Sequence, residues 1–300
     1  MPDNRPYRHH EKGIVIVAAG VLILSFDALL IRLAAAGAWE VIFWRGTLMA
    51  ISLVLFLAIT GRLNSIRQFV SFGQPGFYTA LLQGAGGSFF VLAISNTSVA
   101  NTVVLIATAP LFAAIASHLF LAERIQRSTW FACISVLLGV AIVFSSSLEF
   151  TQATGNAYAL LAALCMGGSL TILRHHPDMP RIPLVAASGV VTAVIAVPFA
   201  SPLQLTQTSY AVLAIMGMVQ MPLALILITA GTRYLTSPEV SLFLLLETLL
   251  GPVWVWLALG ERVEIQTLLG GAVIVLTLLL HSLSILRASR RGTTMPSDTL

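Results

Sequence analysis

Residues 68–122 read QFVSFGQPGFYTALLQGAGGSFFVLAISNTSVANTVVLIATAPLFAAIASHLFLA, 55 residues without one Asp, Glu, Lys or Arg. About 20 helical residues carry a chain across the hydrocarbon core of a bilayer. The run is therefore two crossings, and the polar cluster Ser95-Asn96-Thr97-Ser98 marks the turn between them. A second run, Ile182–Thr232, is 51 residues long and reads the same way, with its turn between Ser201-Pro202 and Ser209. The runs are continuously apolar, which predicts helices; a membrane-barrel strand alternates apolar and polar over about ten residues. Shorter charge-free runs stand at Ser128–Leu148, Phe150–Leu173 and Ile265–Leu286.

The composition agrees. Charged residues make up 9% of the 300, hydrophobic residues 57%, and the mean hydropathy is +0.92. A soluble domain carries roughly 25% charged residues, because its surface faces water. A soluble enzyme, a nucleic-acid-binding domain and a disordered chain are excluded, and the main partner of the surface is the lipid bilayer. The expected fold is an all-α integral membrane protein with ten transmembrane helices, at 13–35, 38–59, 76–95, 98–121, 127–146, 155–173, 182–200, 208–229, 237–259 and 264–285. A polar head (1–12) and a polar tail (286–300) flank them. The basic head followed by an apolar stretch has the look of a cleaved leader, but Asp27 and Arg32 interrupt that stretch, so retention is expected.

With the N-terminus in the cytoplasm, 13 of the 16 basic residues fall on cytoplasmic segments. Arg32, Arg45 and Arg262 are the others. That is the positive-inside pattern, and both termini are expected in the cytoplasm. The net charge of +4 then reports orientation rather than an acidic partner.

The chain also repeats itself. Leu121-Ala122-Glu123-Arg124 follows the fourth predicted helix, and Leu259-Gly260-Glu261-Arg262 follows the ninth. Thr129 and Thr267 lie at the same distance beyond each Glu, and Arg32 and Arg174 at the same distance beyond Gly13 and Gly155. Five helices is an odd number, so the second half, 155–285, enters the membrane upside down relative to the first, 13–146. Two inverted five-helix repeats are an architecture of secondary transporters, with the solute held near the midplane.

At this point the chain resembles a known family. Ala109-Pro110-Leu111-Phe112-Ala113-Ala114, running to Leu121-Ala122-Glu123-Arg124, is similar to the EamA-type domain of the drug/metabolite transporter superfamily. So are Phe43-Trp44-Arg45 and the stretch Leu246-Glu247 to Pro252-Val253-Trp254, ahead of Gly260-Glu261-Arg262. The resemblance covers about residues 13–285. It implies two EamA repeats in the bacterial inner membrane and outward movement of small metabolites. It also implies a central cavity lined by the first, third, fourth, sixth, eighth and ninth helices. The halves differ in one respect: the position equivalent to Pro110 is Thr248, and the proline comes later, at Pro252.

Ionisable groups inside a span cost on the order of 2.5–3.5 kcal/mol at the bilayer centre on insertion scales, and they need a reason. Glu247 is near mid-depth in the ninth helix. Phe243, Glu247, Gly251 and Trp254 share one helical face by their spacing. That face offers two rings, an acid and room, and fits a solute ammonium or a proton that is taken up and released. The alternative is a Glu that fastens helices together. Asp27 needs a partner on another helix or water. Arg45 could pair with Asp27 or hold a solute carboxylate in a bidentate contact. Arg32, near a helix end, is expected to snorkel.

Gln83 shares a face with Gly87 and Phe90, and Gln220 occupies the matching place in the eighth helix. Both fit a solute pathway or plain helix packing. Asn101 is a pathway candidate that could instead cap its helix. Pro110, Pro222 and Pro252 each free a carbonyl inside a span, as a hinge or an ordinary kink. Glu123, Arg124, Glu261 and Arg262 read as structural turns, each acid complementing the dipole of the helix that follows it.

No cofactor is expected. There is no CxxC or HExxH for a metal, no Walker loop for ATP and no Gly-x-Ser-x-Gly elbow for an intramembrane hydrolase. The leading expectation is a secondary-active or facilitative transporter for small organic metabolites, amino acids or related amphipathic solutes, working as an exporter by alternating access, with protons as a candidate coupling ion. A flippase for a lipid or lipid-linked precursor and a non-transporting membrane partner are the alternatives. Substrate identity, stoichiometry and oligomeric state are not written in the chain.

Overall fold

The computed structural model describes residues 5–109, 111–113, 115, 127–145, 150–176, 178–231, 234, 237–261 and 263–292. Helices account for the ordered elements among them, and no strand occurs. In chain order they are α1 (Arg5–Leu24), α2 (Asp27–Leu33), α3 (Ala38–Ile59), α4 (Asn64–Ser71), α5 (Gln74–Asn96), α6 (Val99–Ile106), α7 (Arg127–Ser145), α8 (Phe150–His175), α9 (Arg181–Ala196), α10 (Gln207–Ile215), a π turn (Met216–Gln220), α11 (Met221–Gly231), α12 (Ser237–Leu259) and α13 (Ile265–Gly292).

Among the described residues, five helical stretches are long and apolar enough to cross a bilayer unaided: Lys12–Leu33, Ala38–Ile59, Gln74–Asn96, Gln152–Leu173 and Gln207–Gly231. Shorter apolar helices lie at the other expected spans. Three features depart from the sequence reading. Helix extends into the expected polar head and tail, from Arg5 and as far as Gly292. The first span breaks at Ser25–Phe26, and the eighth carries a π turn. The short α4 was not foreseen. Its apolar Ile66, Phe69 and Val70 alternate with Ser65, Arg67 and Gln68, a pattern suited to a membrane surface rather than a crossing.

Local chemistry sets the ends. Ser98 caps α6 by accepting from the Asn101 amide, and Thr206 caps α10 by accepting from Ser209. Gly260 closes α12 with φ +69°, the left-handed geometry a helix C-terminus favours.

The two halves interleave. α5 lies along α8, and α1 lies along α11; α5 also crosses α9, while α3 crosses the π turn. α3 faces α9, α7 faces α13 and α6 faces α12. Exchanging each span with the one five places along returns this same set of contacts, so the packing carries the repeat that the sequence shows only faintly.

Two close crossings are glycine on glycine. A Cβ on Gly46 would sit 2.6 Å from the Gly189 carbonyl oxygen, and one on Gly189 would sit 2.9 Å from the Gly46 oxygen. Gly139 and Gly270 meet in the same manner between α7 and α13. Lipid tails are as apolar as leucine, so such close backbone approach, rather than escape from water, drives association here. Around the first crossing lies the central core: Ile42, Met49, Phe90, Val91, Ile94, Val185, Leu213 and Met216.

Candidate functional site

Two interrupted helices meet face to face. In the first span the break leaves the Ile23 carbonyl short of a regular helical partner, and Gln220 Nε2 donates to it at 3.1 Å. Gln220 is the last residue of the π turn, two positions before Pro222. Pro222 has no amide hydrogen for the carbonyl four residues back. The wider π turn just ahead of it absorbs that defect.

Ser25 and Phe26 at the break are held by α12. Trp254 Nε1 donates to Ser25 Oγ at 3.0 Å, Ser25 Oγ donates to the Leu22 carbonyl at 2.7 Å, and the Trp254 ring stacks on Phe26 with centroids 4.8 Å apart. Trp254 is therefore bound to the first span. Its replacement by Phe keeps the stack and removes one donor. The expected loss is about 1 kcal/mol, read as a small drop in the unfolding temperature.

Asp27 opens α2 directly beyond the break. Its Oδ2 pairs with Arg45 Nη2 at 3.0 Å, with the side chains 2% and 5% exposed. The same Nη2 lies 3.2 Å from Met221 Sδ, and the guanidinium sits 5.8 Å from the centre of the Phe90 ring. Thioether and ring are weak partners, so the pair has one good contact. Asp27 Oδ1, Arg45 Nη1 and Gln220 Oε1 are buried without any hydrogen bond. A carboxylate and a guanidinium have capacity for more, and these three atoms are where it is left over.

Glu247 is half-buried on α12 and lies within electrostatic reach of Asp27 and Arg45. Among the described residues it makes no hydrogen bond or ion pair. The residues of its face meet different partners: Phe243 packs on Val17, Val21 and Ile228, Trp254 on Phe26, and a Cβ added to Gly251 would meet Val103 alone among the described residues, at 3.7 Å. On α5, Gln83 is half-buried without a hydrogen bond among the described residues, and nothing lies within 4 Å of a Cβ placed on Gly87. Phe90, next on that face, is the ring beside Arg45. Asp27, Arg45, Gln220, Glu247 and Trp254 thus gather around the two helix breaks.

Asn101 belongs elsewhere. Ser98, not Asn101, caps α6. Asn101 Nδ2 donates to Thr97 Oγ1 at 3.3 Å, and Thr267 Oγ1 donates to Asn101 Oδ1. Thr97 Oγ1 in turn donates to Asn156 Oδ1 at 3.0 Å. This buried network ties α6 to α8 and α13, with the Asn101 side chain fully committed.

Beside it, Glu261 makes a connection that corrects the sequence reading. Its Oε1 accepts from the Val99 amide at 3.0 Å, and its Oε2 lies 3.3 Å from Arg32 Nη2. The acid complements a helix N-terminus, but that of α6 in the other half, not of the helix that follows it. Arg32 does not snorkel freely; it also donates to the Thr97 carbonyl at 3.0 Å. Pro252 lies inside α12, half-buried and without a helix break. Pro110, Glu123, Arg124 and Arg262 lie outside the described residues.

Sequence reasoning missed Ser25, Phe26, Met221 and the Thr97–Asn156–Thr267 network. The break at Ser25–Phe26 carries no proline or glycine, so nothing local announces it.

A helical membrane protein with interleaved halves and a charged group buried between broken helices has the build of a transporter. The model of the EamA-like transporter family matches twice, at residues 11–145 and 153–283. The chain belongs to that family, whose members are membrane transporters for small molecules and not enzymes.

The pseudopaline exporter CntI of Pseudomonas aeruginosa, in strains UCBPP-PA14 and PAO1, is 23% identical over 284 residues, covering 88% of this chain and 94% of its own. The uncharacterized transporter YdfC of Bacillus subtilis is 23% identical over 179 residues, covering 57% of this chain and 58% of its own. A solved crystal structure superposes with a TM-score of 0.65 at 16% identity, over 92% of this chain and 98% of its own, a likeness of fold alone.

Proposed function

We propose that this chain exports small organic metabolites, amino acids or related amphipathic solutes, across the bacterial inner membrane by alternating access of two inverted five-helix repeats. The observation that carries the reading is the buried Asp27–Arg45 pair. It is under-bonded, it lies where two spans are broken, and Glu247 stands within electrostatic reach. A charged pair in a span is costly unless it binds or moves something. Asp27, Arg45, Gln83, Gln220, Glu247, Phe243 and Trp254 form the solute and ion pathway, with the π turn before Pro222 as a flexible joint. Both termini face the cytoplasm, from the distribution of the basic residues. The likeness to a pseudopaline exporter supports the outward direction. Glu247 is the proton-coupling group, since it is the acid of the site without an ion-pair partner among the described residues.

The test is solute efflux from proteoliposomes with a panel of amino acids and small amines, with and without an imposed pH gradient. Wild type is expected to show gradient-stimulated flux, and Glu247→Gln to lose the stimulation while retaining downhill flux. Equal flux in both proteins, indifferent to the gradient, would remove the coupling role from Glu247. No flux of any panel member would remove the solute class.

A further inference from the structure

α2 is a rod of seven residues with a joint at each end. At one end the chain breaks at Ser25–Phe26. At the other, Ala35 adopts φ +45°, a left-handed turn uncommon for a residue with a side chain, before Gly37 leads into α3. The rod carries two charges. Asp27, its first residue, is paired with Arg45 in the buried site, and Arg32, in its last turn, is paired with Glu261. At about 1.5 Å per residue the two positions are about 7.5 Å apart along the axis.

The far end of the rod is fastened across the two halves. Arg32 reaches the Thr97 carbonyl and Glu261, and Glu261 holds the Val99 amide. These contacts join the ends of α2, α5 and α12 to the start of α6. They differ from the neighbouring Asn101 network in being part-exposed: the Arg32 and Glu261 side chains are 29% and 27% exposed, while Thr97, Asn101, Asn156 and Thr267 are buried. An ion pair near water is weak and exchangeable, which suits a contact that must open and close, whereas the buried network suits a fixed seam.

We propose that α2 is a lever that couples occupancy of the Asp27–Arg45 site to a latch made by Arg32 and Glu261. Both latch residues are positioning residues: they touch no solute and act by holding α2 across the seam. A solute anion that takes Arg45 releases Asp27, frees the near end of the rod and loosens the far end. The mechanism rests on the transporter reading. It needs nothing beyond a difference in affinity of solute for the latched and unlatched states.

The latch can be read without knowing the solute. Cys133 and Cys165 are replaced by Ala, and Gly87→Cys is added as a reporter, because nothing among the described residues lies within 4 Å of a Cβ there and it shares the face of Phe90 beside Arg45. A membrane-impermeant maleimide is applied to each face of reconstituted vesicles in turn.

Glu261→Gln is expected to speed labelling about tenfold from the face on which α2 ends, within the ordinary range of coupling between sites. Arg32→Gln, which opens the same latch from its other side, is expected to speed labelling from that same face. D27N/R45Q, with the latch residues intact, is expected to speed labelling from that same face. Unchanged labelling in Glu261→Gln, or in D27N/R45Q, overturns the lever. Unchanged labelling in Arg32→Gln overturns it too, and a folding defect in Glu261→Gln alone leaves Arg32→Gln and D27N/R45Q to decide. Flux in the same vesicles separates this inference from the function. Transport with unchanged labelling removes the lever and leaves the transporter. Shifted labelling without flux of any panel solute leaves the lever and removes the solute class.

Discussion

Arg45→Gln is expected to abolish solute flux and to leave the protein close to unfolding. The side chain is buried, and its loss strands the Asp27 carboxylate, which has no other ion-pair partner among the described residues. Removing one member of a buried pair costs about 3–5 kcal/mol, because the remaining charge stays desolvated. Total stability of a folded protein is only about 5–15 kcal/mol. Asp27→Asn is expected to do the same by stranding the guanidinium. The double variant D27N/R45Q separates the two roles. With both charges removed and none left stranded, stability should return to within about 1–2 kcal/mol of wild type, since neutral replacement of a buried pair is often tolerated. Flux should not return. Thermal unfolding in detergent and efflux from proteoliposomes measure the two quantities. Recovery of flux in the double variant would mean that the pair only fastens helices together.

Gly189→Leu is expected to be as damaging for a different reason. Its Cβ would stand 2.9 Å from the Gly46 oxygen and 3.0 Å from the Ala50 nitrogen, both backbone atoms that no rotamer change can move. α3 and α9 would have to separate along the crossing at the middle of the molecule. Overpacking costs typically 1–3 kcal/mol and sometimes more, and the upper end is expected where backbone meets backbone. Yield of folded protein after extraction should fall sharply. Gly87→Ala is the matched control: nothing among the described residues lies within 4 Å of its added carbon, and stability should shift by less than about 0.5 kcal/mol. A Gly189→Leu protein as stable as the control would show that this crossing does not hold the halves together.

The all-helical membrane character was legible because charge-free length leaves little choice: 55 residues without a charge are far more than a soluble fold exposes or one crossing needs. The site was legible in part for the same reason, since a charge inside a span stands out against leucine. Asp27, Arg45, Gln220 and Glu247 were each visible alone. What the chain did not display was who meets whom. Asp27 and Arg45 are 18 positions apart, yet Arg45 and Met221 are separated by 176 and Glu261 and Val99 by 162. Such contacts depend on how the halves dock, and no local pattern encodes docking. The break at Ser25–Phe26 was hidden too, because the groups that stabilise it, Gln220 and Trp254, come from distant helices. Glu261 was read as serving its own helix for the same reason: dipole complementarity is local in origin, but its beneficiary is chosen by the fold.

The interleaved packing also bears on how the molecule is made. Among the described residues, α5 leans chiefly on α8, and α1 on α11, so the helices of the first half find their main neighbours in the second. During synthesis the early helices enter the lipid long before those neighbours exist. They wait there with their glycine grooves unmatched, and the break at Ser25–Phe26 gains its Gln220 clasp only when the eighth span arrives. Neither half is a module that can be completed and then joined. Expressed alone, each would be a set of inserted helices without a partner, and the two would become one protein only on meeting in the same membrane.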